Sequence, residues 1–283
     1  MKKIKLISDS TCDLSQELIQ KHNIEIIPLT VSINDVDYKD LIELNTEAMY
    51  DLVDEFNVFP KTSAVSPGEF EQVFLKYLDE DFDIVYLGVG SKFSATFQSA
   101  TLAKNNISSE RIHLIDSMNL SSGIAVLLLK AASFIESGED VLTVVSKLQD
   151  IVPKVRSQLV IDSLEYLHKG GRLSTISAFI GKVIRIHPVV HVRNGEMKVS
   201  KNAIGSMKKG LTILINQMLE HKEKIDDEFI VLTHSFAMTH RYLEKKVKDN
   251  FQVKNLYETH AGCVISAHGG KGSIGLAYIL NDK

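Results

Sequence analysis

The sequence predicts an α/β protein with an N-terminal open parallel-sheet domain, a C-terminal α+β domain with an antiparallel sheet, and a ligand between the two. Three observations carry this. The first half alternates strand-like and helix-like segments, as an open α/β sheet does. The texture changes after Pro153, where Val189–Val199 places Asn194-Gly195 between two alternating runs, the signal of an antiparallel hairpin. And 283 residues at roughly 150 per domain give about two domains. The division expected is 1–155 and 156–283, with no Pro/Gly/Ser linker, so the halves should pack closely around a cleft.

In chain order, Ile4–Ile7 reads as a first strand ending in the polar cluster Ser8 to Thr11, followed by a helical pattern from Leu14 to about His22. Ile24–Leu29 is a second strand, and Val31–Tyr38 a hairpin around Asn34-Asp35. Glu47–Phe56 is amphipathic at helical spacing. Ser66-Pro67-Gly68-Glu69 reads as N-cap, Pro at N1 and Glu at N3, opening a helix that should run to about Leu78. Ile84–Val89 is a continuous apolar strand of the doubly buried kind. A helix from about Ala95 to Asn105, a strand at Ile112–Ile115 and a helix over Leu120–Ile135 follow. In the second half, Gly210–Lys222 and Arg241–Phe251 read as helices, and Phe229–Thr233, Val264–Ala267 and Ile274–Ile279 as strands.

Composition narrows the function classes. The chain is 44% hydrophobic and 24% charged with mean hydropathy near zero, which is ordinary globular composition. Its net charge of -4 disfavours a generic nucleic-acid binder. Two cysteines, Cys12 and Cys263, argue against a disulfide scaffold and a four-ligand zinc site. The longest apolar run, Ile124–Leu129, is far short of the ~20 residues that span a bilayer, and the basic but only briefly apolar start MKKIKLISDS does not read as a secretory signal. The expected location is the cytoplasm.

Four segments join small polar residues to strand ends: Ser8–Leu14, Thr62–Phe70, Gly90–Ala100 and Ile115–Gly123. The first, third and fourth fall at the carboxyl ends of strands, where open α/β sheets bind ligands and helix N-termini favour anions. Taken singly, such hydroxyls simply cap helices. The second half adds Ser163–Ser174, which presents Arg172 after Gly170-Gly171, and His260–Gly272, where His268 precedes three glycines in four residues.

Together these segments resemble the DegV family of bacterial fatty-acid-binding proteins. The motifs are DST at Asp9–Thr11, TS-x-x-SPGEF from Thr62, S-x-x-S-x-T-x-Q-S-A from Ser91 through Ser94–Ala100, IDS-x-x-x-S-x-G from Ile115, LEYL-x-KGGR ending at Arg172, and the late glycine loop at His268. They stand in family order over essentially the whole chain. The resemblance implies a carrier, not an enzyme, that encloses one long-chain fatty acid between its domains with no cofactor or metal. It also implies a partner kinase, related to dihydroxyacetone kinases, that phosphorylates the carboxylate to an acyl phosphate for phospholipid synthesis. By the same resemblance Thr62, Ser94 and His268 would bind the carboxylate, and Arg172 would sit near the head group or contact the kinase. The chain has Ala95 where the family commonly has Gly, and Lys271 where the late loop usually has Pro.

Apolar-wall candidates are Leu164, Phe179, Ile180, Val183 and Ile184, and Cys12 is a candidate to line the site. The alternative reading is a serine esterase or thioesterase using Ser94 and His268, with Asp9 or Asp116 as the acid. The residues around Ser94 lack the G-x-S-x-G elbow. Gly88-Val89-Gly90 and Gly269–Ser273 fall short of nucleotide-binding fingerprints. His187 and His191 are separated by Pro188 on a strand and do not share a helical face as metal ligands would.

Overall fold

The computed structural model describes residues 3–171, 176–177 and 186–282. Its elements, in order, are β1 (Lys3–Asp9), α1 (Gln16–Lys21), β2 (Glu25–Ile27), β3 (Thr30–Ile33), β4 (Val36–Lys39), α2 (Thr46–Phe56), β5 (Lys61–Ser63), α3 (Pro67–Asp79), β6 (Phe82–Gly88), α4 (Thr96–Ile107), β7 (Ile112–Asp116), α5 (Ser122–Glu136) and α6 (Val141–Ile151). Then come β8 (Val155–Val160), α7 (Glu165–Lys169), β9 (Ile176–Ser177), β10 (Ile186–Arg193), β11 (Glu196–Ile204), α8 (Met207–Leu219), β12 (Phe229–His234), α9 (His240–Asn250), β13 (Asn255–His260), α10 (Cys263–Gly269) and β14 (Ile274–Ile279).

Among the described residues there are three sheets. The first has order β2-β1-β6-β7 and is wholly parallel. The second, β13-β12-β14-β8-β10-β11-β9, is mainly antiparallel, with parallel pairs at β12–β13 and β11–β9. A small antiparallel sheet, β4-β3-β5, stands beside the first. The predicted fold class is the one observed.

Local chemistry accounts for many of the boundaries. Ser66 and Glu69 form the expected capping box on α3. The β3–β4 turn has positive φ at Asn34 (49°) and Asp35 (60°), and the β10–β11 turn at Asn194 (53°) and Gly195 (72°). Both central residues left-handed is the two-residue turn that matches strand twist. α5 is apolar almost all round, with Ser122 through Ala132 buried. It packs with Leu6, Val85 and Leu87 of the first sheet and with Val231, Ala277 and Ile279 of the second, in one core. A helix with no polar face belongs between layers.

The expected strand at Val264–Ala267 is instead part of α10. The β-branched pair Val264-Ile265 suggests a strand, but the carboxylates decide otherwise. Asp40 accepts from Cys263 N at 2.8 Å and Val264 N at 3.4 Å, and Asp13 accepts from Gly262 N at 2.8 Å. Those are the donors a helix start leaves unpaired. Cys263, Val264 and Ala267 then bury against Ile7, Leu29 and Val31 of the first half. So α5 from the first half and α10 from the second each pack onto the other. The expected 155/156 division falls at the first residue of β8, inside the second sheet.

Asp40→Ala should expose how much α10 depends on this cap. Two buried N–H groups would lose their acceptor, at about 1–3 kcal/mol each. Urea denaturation should show an unfolding free energy lower by that amount, read as a lower midpoint with an unchanged slope; a midpoint equal to the native protein's would mean another group caps α10.

Candidate functional site

A cavity of about 240 Å³ lies where the two halves meet. Its first wall comes from loops at the carboxyl ends of the parallel strands: Thr11 after β1, and Val89, Phe93, Ser94 and Ala95 after β6. Its second is β5 with Thr62 and Ser63, and α10 with Val264, Ile265 and His268. Its third is the second sheet and its connections: Leu159, Ile161, Leu167 and Met197. Those four pack with Phe93 and Leu120 in one hydrophobic cluster, so the apolar wall is continuous. Ile176 pairs with Met197, bringing β9 past this wall.

The polar groups sit on rigid supports. Thr62 pairs with Val31 in the small sheet, and its Oγ1 lies 2.8 Å from His268 Nε2. His268 is in the last turn of α10. A Cβ built on Gly170 would lie 2.4 Å from His268 Nδ1, so the first glycine of the KGG segment leaves room for the imidazole. Ser94 Oγ accepts from Thr96 N at 3.2 Å and lies 2.9 Å from Thr96 Oγ1, which anchors it at the N-terminus of α4. Thus Thr62, Ser94 and His268 line one cavity. Arg172, Phe179, Ile180, Val183 and Ile184 lie outside the described residues. Leu164 packs against the apolar cluster without lining the cavity.

Other polar residues of the motifs hold the loops from below. Asp9, fully buried, accepts from Thr11 N, from Tyr86 Oη at 2.8 Å and from Val89 N at 2.8 Å. A Cβ on Gly88 would lie 2.1 Å from this carboxylate, which explains the glycine without a nucleotide. Asp13 accepts from Ser121 Oγ as well as Gly262 N. Burial pushes the carboxyls of Asp9, Asp13 and Asp40 above the ordinary range, Asp13 most firmly, against the hydrogen bonds that pull them down. Cys12 faces the core between the sheets, not the cavity, and burial pushes its thiol up.

The esterase constellation is not assembled. Ser94 is bonded to Thr96 rather than to His268. The Asp9 carboxylate is taken as described, and that of Asp116 by Ser91 and the N–H of Met118. His187 lies 3.2 Å from Asp162, and His191 2.9 Å from Gln217, so each has its own partner.

Phe93, Leu167, Met197 and Ile265 line the wall without being among the residues the sequence singles out. Met197 had a signal: it is the second residue after the Asn194-Gly195 turn, where strand alternation fixes its face. The others depend on packing between distant segments.

Residues 3–281 match the family model described as DegV, a family of uncharacterised proteins. The chain belongs to the DegV family. A DegV domain-containing protein of Clostridium acetobutylicum is 34% identical, over 99% of each chain. Among solved structures, a DegV family protein of Thermus thermophilus, reported for its fatty acid binding, superposes with TM-score 0.89 at 26% identity, covering 98% of this chain and 99% of that one. A stearic acid-binding protein of Eubacterium ventriosum superposes at 0.87 with 26% identity, covering 99% and 98%. No helix of this DegV protein, among its described residues, is long and apolar enough to cross a membrane.

The Asp13 carboxyl gives a signed pH test. Its native value is above the ordinary 3.8, so above that pH the native state holds a proton the unfolded state has released. The stability this contributes is complete below the unfolded value and is lost as pH rises through the native one. Asp13→Asn cannot titrate there. The stability of the native protein relative to Asp13→Asn, measured by urea denaturation from about pH 4 to about pH 8, should therefore decline as pH rises; parallel curves would contradict the upward shift.

Proposed function

We propose that this protein binds one long-chain fatty acid in the cavity between its halves and presents the carboxylate to a partner kinase. Thr62, Ser94 and His268 hold the carboxylate, and Arg172 lies near the head group or meets the kinase. The partner, related to dihydroxyacetone kinases, transfers the terminal phosphoryl of ATP to a carboxylate oxygen, giving an acyl phosphate and ADP. The carrier itself performs no chemistry. The observation that supports this reading most is the cavity's division of labour: a continuous apolar wall, with hydrogen-bonding side chains from β5, α10 and the N-terminus of α4. The fatty-acid-binding neighbours of the same fold support it as well.

The energetics favour such a carrier. A carboxylate leaving water needs partners, and hydrogen bonds to a charged group contribute about 1.5–3 kcal/mol each. A tail of ~15 methylenes at ~0.8 kcal/mol each contributes about 12 kcal/mol. Association costs about 4–15 kcal/mol. The tail supplies most of the affinity, and the head group fixes orientation.

Mass spectrometry of lipid extracted from the denatured recombinant protein should find about one long-chain fatty acid per chain. Absence of any, with no uptake of added acid, would contradict the reading. Thr62→Ala and Ser94→Ala should each weaken retention by about 1–3 kcal/mol, while acyl-p-nitrophenyl esters should not be hydrolysed by the native protein.

Arg172→Ala should separate binding from presentation. Lipid content should stay near that of the native protein, whereas acyl phosphate formation with purified kinase and ATP should fall sharply, since a guanidinium suits phosphate contact. A pocket emptied as thoroughly as by Ser94→Ala would make Arg172 a carboxylate ligand instead.

A further inference from the structure

The carboxyl edge of the β12–β13 pair carries a cluster that lipid binding does not use. The two strands are parallel and joined by α9, and ligands of such units bind beyond the strands' carboxyl ends. His234 ends β12, His240 opens α9, and Glu258 lies two residues before the end of β13. Glu258 Oε1 is 2.8 Å from His240 Nδ1 and 3.3 Å from His234 Nε2. One ligand atom from each of the three lies within 4.8 Å of the other two.

We propose that His234, His240 and Glu258 form a binding site for a divalent transition metal of the zinc class. Zinc–nitrogen and zinc–oxygen bonds of ~2.0–2.2 Å place neighbouring tetrahedral ligands about 3.3 Å apart, which the 3.3 Å between His234 and Glu258 matches and the 2.8 Å hydrogen bond between His240 and Glu258 must open to reach. The third pair, His234 and His240, lies within 4.8 Å, and His240 and Glu258 stand at the surface with side chains 28% and 30% exposed. His234 is the fixed member, with a side chain only 5% exposed. Two imidazoles with one carboxylate suit zinc, cobalt or nickel; magnesium and calcium prefer oxygen alone. Three protein ligands leave a coordination position for solvent or a small anion. The spacing His234-x5-His240 spans a loop, so no helical or strand periodicity announces the site.

The test uses untagged full-length protein stripped of metal by a chelator. Calorimetric titration with Zn²⁺ should saturate at about one equivalent, and Co²⁺ should produce visible absorption bands of a four- or five-coordinate ion. Zn²⁺ should raise the melting temperature of the native protein. His240→Ala and Glu258→Gln, both changes at surface side chains, should each weaken Zn²⁺ binding by at least about tenfold, and His191→Ala should not. Fatty acid content of all three variants should match the native protein, which separates this site from the lipid cavity. No saturable binding, or binding that survives either substitution at His240 or Glu258, would overturn the proposal and leave a hydrogen-bonded cluster.

Discussion

The carboxylates of Asp40 and Asp13 meet the start of α10 from the opposite half of the chain, and the site depends on that meeting. Together they accept the N–H groups of Gly262, Cys263 and Val264. Burying them is costly, as the raised carboxyl values of both show. The cost is offset because a helix N-terminus offers unpaired donors and the positive end of its dipole. Once α10 is fixed there, its last turn delivers His268 to Thr62 on β5. A shift of one residue at the cap would rotate His268 by about 100° around the helix. Asp13 reaches further back, since it also accepts from Ser121 at the entry to α5.

Interlocking explains why the cavity has a dry wall. α5 leaves the parallel sheet and fills the space beneath the second sheet, while α10 leaves the second sheet and buries on the first. Neither half presents a finished surface without the other. The cavity between them is lined by loops at the carboxyl ends of the parallel strands, by β5 and α10, and by the second sheet and its connections, and three of its polar side chains already have partners. Ser94 is held by Thr96 and Thr62 by His268. Groups so engaged are held in fixed positions facing the cavity. Nucleophilic attack would need Ser94 paired to a base, and it is not.

Much of this was legible because certain residues carry their geometry with them. Asn34-Asp35 and Asn194-Gly195 tolerate left-handed backbone, so both hairpins could be read directly. Ser66 and Glu69 cap each other locally. Thr62, Ser94 and His268 could be singled out by the motifs around them, and the fold does bring them to one cavity. Val264–Ala267 could not be read correctly: its helix is imposed by Asp40 and Asp13, more than 220 residues away. β13 was missed for a related reason. Its sequence NLYETH alternates weakly, and pairing with β12 makes it a strand. Leu167 and Ile265 become wall residues only when α7 and α10 pack together.

The motif residues divide into those that face the cavity and those that hold it, and the division follows burial. Thr11, Thr62, Ser94 and His268 line the space. Asp9, Asp13 and Ser121 are as polar, yet they lie beneath it with their bonds directed at backbone and at one another. Asp9 shows why the second group is needed. It joins the loop after β1 to the loop after β6 through the N–H groups of Thr11 and Val89, and Gly88 leaves no side chain to obstruct it. Without that link the two loops would be tied to each other only through the connection after β7, where Ser121 N donates to Thr11 O and Asn119 O accepts from Gly90 N. A buried carboxylate in this fold therefore acts on the cavity indirectly. It sets the spacing between loops, and the loops set the hydroxyls.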